Sequence, residues 1–76
     1  MIKELDRVVL TAPVPKEGLE CGDVGTVVYV HKDGQAYEVE FVSLECETVA
    51  VATVEASQVR PVSPREITHA REMAAR

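Results

Sequence analysis

Between residues 36 and 42 apolar and polar side chains alternate, with Tyr37, Val39 and Phe41 on one side and Glu38 and Glu40 on the other. A period of two marks a half-buried strand and predicts glutamates that face water. Residues 24–30 form a second β-rich run, and His31-Lys32-Asp33-Gly34 between the two carries the Asp-Gly pair of a tight hairpin turn. Residues 5–10 predict a first strand and residues 48–54 a fourth. Residues 59–62 predict a short fifth, which Pro61 confines to an edge or terminus. The two faces of the fourth run, Val49-Val51-Thr53 and Ala50-Ala52-Val54, are both mostly apolar, so the pattern leaves its buried side open. Residues 55–58 fit one 3₁₀ turn. Residues 11–23 are a long connection broken by Pro13, Pro15, Gly18 and Gly22, with Val14 and Leu19 expected to tuck against the core.

From residue 63 the period changes. Ser63 suits an N-cap, Pro64 the first helical position and Glu66 the third, completing a capping box, while Val62 and Ile67 fit a hydrophobic staple. Ile67, Ala70 and either Met73 or Ala74 then share one face, and Glu72 and Arg76 can pair at i, i+4. The spacing predicts a helix over residues 64–76. At that length it needs a surface to lean on: the β body, a second copy or a partner. The chain thus divides into a β body, residues 1–62, and a C-terminal helix or tail, residues 63–76.

Seventy-six residues make one domain with a thin stability margin. Valine dominates the apolar content, tryptophan is absent, and Phe41, Tyr29 and Tyr37 are the only aromatics. A core of β-branched side chains favours a small barrel or sandwich. The formal charge is −5, and residues 1–62 hold 11 acidic side chains against 5 basic ones. Such a body repels phosphate backbones and suits a basic protein partner better than a nucleic acid. Cys21 and Cys46 show neither paired spacing nor a histidine-rich setting. No stretch has the length of a membrane span, and the charged N-terminus lacks the apolar run of a signal peptide. The expectation is a reduced, cytoplasmic protein with no metal or cofactor.

The stretches Ile2-Lys3-Glu4-Leu5-Asp6, Val8-Val9-Leu10, Gly18-Leu19, Gly22-Asp23-Val24-Gly25-Thr26-Val27-Val28, Ala36-Tyr37-Glu38-Val39-Glu40-Phe41 and Thr48-Val49-Ala50-Val51 together resemble a family of small SH3-like barrels known as domain of unknown function 4926. The resemblance covers residues 2–60. It implies a mainly β fold, a small five-stranded SH3-like barrel, to which the tail adds a short C-terminal α-helix. It implies no assigned activity; some similar small proteins look like partners of a second small protein, as in toxin–antitoxin-like pairs. One departure is the turn before the fourth strand, where Ser43-Leu44-Glu45-Cys46 stands in place of an expected glycine.

Candidate chemistry is sparse. Cys21 with His31 as its base would need hydrogen-bond contact and a third, orienting group. A metal site from Cys21, Cys46, His31 and His69 would draw its ligands from four separate elements. Residues 11–23 sit where peptide-binding SH3 domains grasp proline-rich ligands, but the chain lacks the aromatic side chains that line such grooves. These readings favour a non-enzymatic module that binds another small protein, antitoxin-like or regulatory. Its acidic face would be Glu38, Glu40, Glu45 and Glu47, with Ile67, Ala70 and Met73 of the helix as an apolar anchor or a homodimer contact. The alternative is a nucleic-acid-associated barrel of the transcription- or translation-factor type, which would need Lys3, Arg7, Lys16, Lys32 and Arg60 on one side.

Overall fold

A computed structural model describes residues 1–73. Five antiparallel strands, β1 (Arg7–Leu10), β2 (Val24–His31), β3 (Ala36–Val42), β4 (Thr48–Glu55) and β5 (Val59–Pro61), form one sheet in the order β4-β3-β2-β1-β5. The sheet is open, with β4 and β5 as its two edges, so the expected closed barrel is replaced by a single sheet. Single 3₁₀ turns at Pro15–Glu17 and Ala56–Gln58 complete the regular structure.

One face of the sheet carries the core. Val8, Leu10, Val27, Val39 and Val54 are its largest fully enclosed side chains, joined by Tyr37, Phe41, Ala50 and Ala52. Each enclosed valine or leucine contributes about 1.5–3 kcal/mol. The Ala50-Ala52-Val54 side of β4 is the buried one. Leu19 closes the core from the β1–β2 loop, where a bridge to Val14 holds it.

Two bulges set which residues face in. Val27 pairs with Val39 and Tyr29 with Glu38, leaving Val28 as the extra residue of β2. The inward parity of β2 therefore switches, from Gly25 and Val27 before the bulge to Val30 after it. A second bulge lies between Phe41 and Val42, where Phe41 pairs with Ala50 and Val42 with Thr48.

The glycines of Gly22-Asp23-Val24-Gly25 serve different ends. Gly22 has φ 98° and makes the turn into β2, donating its N–H to the Leu10 carbonyl at 2.8 Å. Gly25 lies inside β2 without a positive φ, and a Cβ there would stand 2.5 Å from Val39 Cγ1 and 2.9 Å from the Glu40 carbonyl oxygen. It is required by close packing, not by a turn. The hairpin turn is also looser than the Asp-Gly pair predicts. Residues 32–35 lie between β2 and β3, and Lys32, Asp33 and Gly34 all have positive φ. At the N-terminus, Asp6 accepts the Lys3 N–H and Leu5 takes φ 74°, so a turn replaces the first residues of the predicted strand.

The expected C-terminal helix is not formed. Among the described residues there is no α-helix, and residues 66–73 carry no regular structure; Ala74 and Arg76, the other expected helix residues, lie outside them. The start signal is nevertheless present. Glu66 accepts the Ser63 N–H at 2.6 Å, and the Glu66 N–H donates to the Ser63 carbonyl at 3.0 Å. One turn nucleates and does not propagate, because Ile67, the first residue of the intended apolar face, is 94% exposed. A short helix needs its apolar stripe buried to outweigh the cost of ordering it, and Ile67 and Ala70 of that stripe are exposed.

Candidate functional site

The outer face of the sheet, opposite the core, holds the densest set of functional side chains. Here β3 places Glu38 and Glu40 between β2 and β4. Glu38 sits diagonally from His31, and its Oε2 accepts hydrogen bonds from His31 Nε2 at 2.8 Å and from Thr53 Oγ1 at 2.6 Å. The edge of the Tyr29 ring meets the His31 ring, with centroids 4.8 Å apart. Glu40 accepts the Thr48 hydroxyl. The two glutamates face outward as predicted, but they are half-buried and held by neighbours. The hydrogen bond from Thr53, then that from His31, holds the Glu38 carboxyl below its ordinary value against the opposing effect of desolvation.

Apolar side chains occupy several of the other outer positions. Tyr29, Val51, Val24 and Val42 are 53%, 50%, 46% and 46% exposed, and Leu44 stands clear of the β3–β4 turn. Glu45 and Glu47 are exposed in that turn, where the Glu47 N–H donates to Ser43 Oγ. The acidic residues therefore run along one strand and into its following turn, with exposed apolar side chains on both neighbouring strands. At the hairpin end, His31, Glu38, Thr53 and Glu55 line a shallow, open groove of about 700 Å³.

The other anchor residues fall elsewhere. Ile67 and Ala70 are exposed and form no face, while Met73 packs on the core. This removes the helix anchor and the helix-mediated homodimer contact as expected from the sequence.

The imidazole of His31 is paired with a carboxylate and with no nucleophile. Thr53 donates to Glu38 and not to His31, so no hydroxyl is activated by the imidazole. Cys21 lies in the loop entering β2, and His31 is at that strand's far end. Among the described residues, no three His, Cys, Asp or Glu side chains converge as a metal would require. Of the basic residues, Arg7 and Arg60 lie on the adjacent strands β1 and β5, Lys16 is in the first 3₁₀ turn and Lys32 in the hairpin turn, and Arg60 is paired with Glu66 at 2.6 Å. No helix among the described residues is long and apolar enough to cross a membrane.

The model of one family, described as Domain of unknown function (DUF4926), matches residues 4–61, which hold all five strands. The chain belongs to this family. No curated protein and no solved structure matches it. The DUF4926 domain thus contains the whole sheet and its outer face, while the tail from residue 62 lies beyond the match.

The particular contact between the tail and the body, Arg71 with Asp23, was not anticipated from sequence. Arg71 Nε donates to Asp23 Oδ1 at 2.8 Å, and its Nη2 donates to Asp23 Oδ2 and, at 3.1 Å, to the Gly18 carbonyl. Burial raises the Asp23 carboxyl, but hydrogen bonds from Arg71 and the Glu20 N–H, with the Arg71 charge, bring it below its ordinary value. The separation of 48 residues hides this pair from any local pattern. The contact between His31 and Glu38, by contrast, follows from placing both on the outer face of one hairpin.

Proposed function

We propose that this DUF4926 protein is a non-enzymatic interaction module that binds a basic small protein on the outer face of its sheet. The observation that carries this reading is the set of exposed apolar side chains Tyr29, Val51, Val24 and Val42, interleaved with glutamates that are already fixed. Apolar area supplies the attraction. The acidic residues Glu38, Glu40, Glu45 and Glu47 select a cationic surface and speed encounter. Because hydroxyl and imidazole groups hold Glu38 and Glu40, less side-chain freedom is lost when a partner's lysine or arginine arrives. The net charge of −5 acts in the same direction.

The test is a photo-crosslinking amino acid at Val51 in the native cell, with a control at Lys16. The expected result is one basic protein captured from position 51, with capture lost on Glu40→Lys and at ~1 M salt, where the screening length falls to ~3 Å. Equal capture from both positions, or no capture from position 51 at low salt, would overturn the reading.

A further inference from the structure

The β1–β2 loop holds a second cluster of fixed acceptors, built from residues other than those of the outer face. Residues 18–23 form a notch whose parts are shaped by the loop itself. Gly18 ends the Pro15–Glu17 turn with φ 72° and leaves its carbonyl pointing outward to an acceptor role. Leu19 is buried in the core against which Met73 packs, and the edge of that core is the apolar wall of the notch. Asp23 Oδ2 accepts the Glu20 N–H at 2.8 Å, which aims the carboxylate, and the Glu20 carboxylate stands 3.7 Å from Arg71 Nε.

The present occupant is the chain's own tail. The Arg71 guanidinium forks onto Asp23 and reaches the Gly18 carbonyl, while Met73 packs on the core, with its Cε 3.6 Å from where a Gly18 Cβ would sit. The leash is loose. Residues 67–72 are exposed, and residues 67–73 make no backbone–backbone hydrogen bond among the described residues. The notch lies inside the residues that define the family match, and Arg71 and Met73 lie outside them.

We propose that the 18–23 notch is a peptide-recognition site for a partner-protein segment carrying an arginine and, two residues on, methionine or a similarly flexible apolar side chain, with Arg71 and Met73 as its built-in competitor. Chemistry sets the specificity. A planar fork can satisfy a carboxylate and a carbonyl together, which a lysine point charge cannot, and an unbranched thioether fits an irregular wall. A tethered tail acts at an effective concentration of order mM. A second copy's tail offers the same contacts without that advantage, so exchange between copies loses to closure in cis below that range. A partner segment with additional contacts can win.

The probe is a fluorescently labelled peptide of residues 65–73, titrated by anisotropy into full-length wild type and full-length Arg71→Ala/Met73→Ala. The expected result is binding to the variant at least ~10-fold tighter than to wild type, because the competitor has been removed. The same peptide with alanine in place of its arginine should lose binding to the variant. Arg71→Lys, which keeps the charge and loses the fork, should behave like the double variant and serves where that variant melts early. Equal affinity for wild type and both variants, no binding at 1 mM peptide (about the effective concentration of the tether), or undiminished binding of the alanine peptide would each overturn the proposal. Dimerisation of wild type below that range, abolished by Arg71→Ala, would assign the notch to a second copy instead.

Discussion

Replacing Gly25 with alanine adds one methyl group where the sheet is most tightly packed. The new carbon would lie 2.5 Å from Val39 Cγ1, 2.8 Å from Phe41 Cε2 and 2.9 Å from the Glu40 carbonyl oxygen. Ordinary carbon contacts are about 3.5–4.0 Å, so the nearest overlap is close to 1 Å. None of the three neighbours yields easily. Val39 is fully enclosed, Phe41 is 3% exposed, and the Glu40 oxygen belongs to a strand paired on both sides. Overpacking of this kind costs about 1–3 kcal/mol, and three rigid neighbours put it near the upper end. Loss of glycine's freedom in the unfolded chain returns about 0.4–1 kcal/mol, for a net cost of about 2 kcal/mol. A chain of this length has about 4–11 kcal/mol in total. With a urea slope of about 1 kcal/mol/M, the unfolding midpoint should fall by about 2 M at unchanged slope. Circular dichroism in urea measures this directly. A midpoint within about 0.3 M of wild type (about 0.3 kcal/mol on that slope) would refute the argument that close packing, and not turn geometry, requires this glycine.

Cys46 occupies φ 67° in the β3–β4 turn, so Cys46→Gly should stabilise the protein by about 0.5 kcal/mol, seen as a small rise in the same midpoint. Ile67→Asp should leave stability within about 0.5 kcal/mol of wild type, since the side chain is 94% exposed; a larger loss would mean that the tail does pack as a helix. The Glu66 carboxyl, lowered from 4.5 to about 2 by hydrogen bonds from Arg60 and the Ser63 N–H, should return toward its ordinary value in Arg60→Ala, read by carboxyl NMR titration. Because its folded value is depressed, the stabilisation it provides is complete above about pH 4.5 and is lost as pH falls through about 2. Thr53→Val should raise the Glu38 carboxyl in the same experiment, since the Thr53 hydroxyl is the largest influence lowering it.

How much of this was legible in the chain depends on the range of the interaction. The alternation of β3 was decisive because each side chain's face depends only on its neighbour's. The strand positions followed, and with them the outward placement of Glu38 and Glu40. The tail shows the opposite. Ser63, Pro64 and Glu66 form the local turn their identities predict, but a helix depends on what lies beneath Ile67 and Ala70, and no local pattern carries that information. The barrel expectation failed for a related reason. Closure depends on whether β4 and β5 meet, a fact about the curvature of the entire sheet. The role of Gly25 was not legible because a glycine needed for space and one needed for a turn look alike in sequence.

The bulge at Val28 also decides how the hairpin can change in length. It divides β2 into two stretches whose inward positions fall on opposite parity, Gly25 and Val27 in one and Val30 in the other. Removing Val28 would leave Val27 opposite Val39 and Tyr29 opposite Glu38 in a regular ladder, so a single deletion is absorbed there without turning Val30 outward. Additions among residues 32–35 invert nothing, since no ladder crosses them. Insertions and deletions in related sequences should therefore accumulate at the hairpin tip and at the bulge itself, and avoid the regular stretches on either side of it.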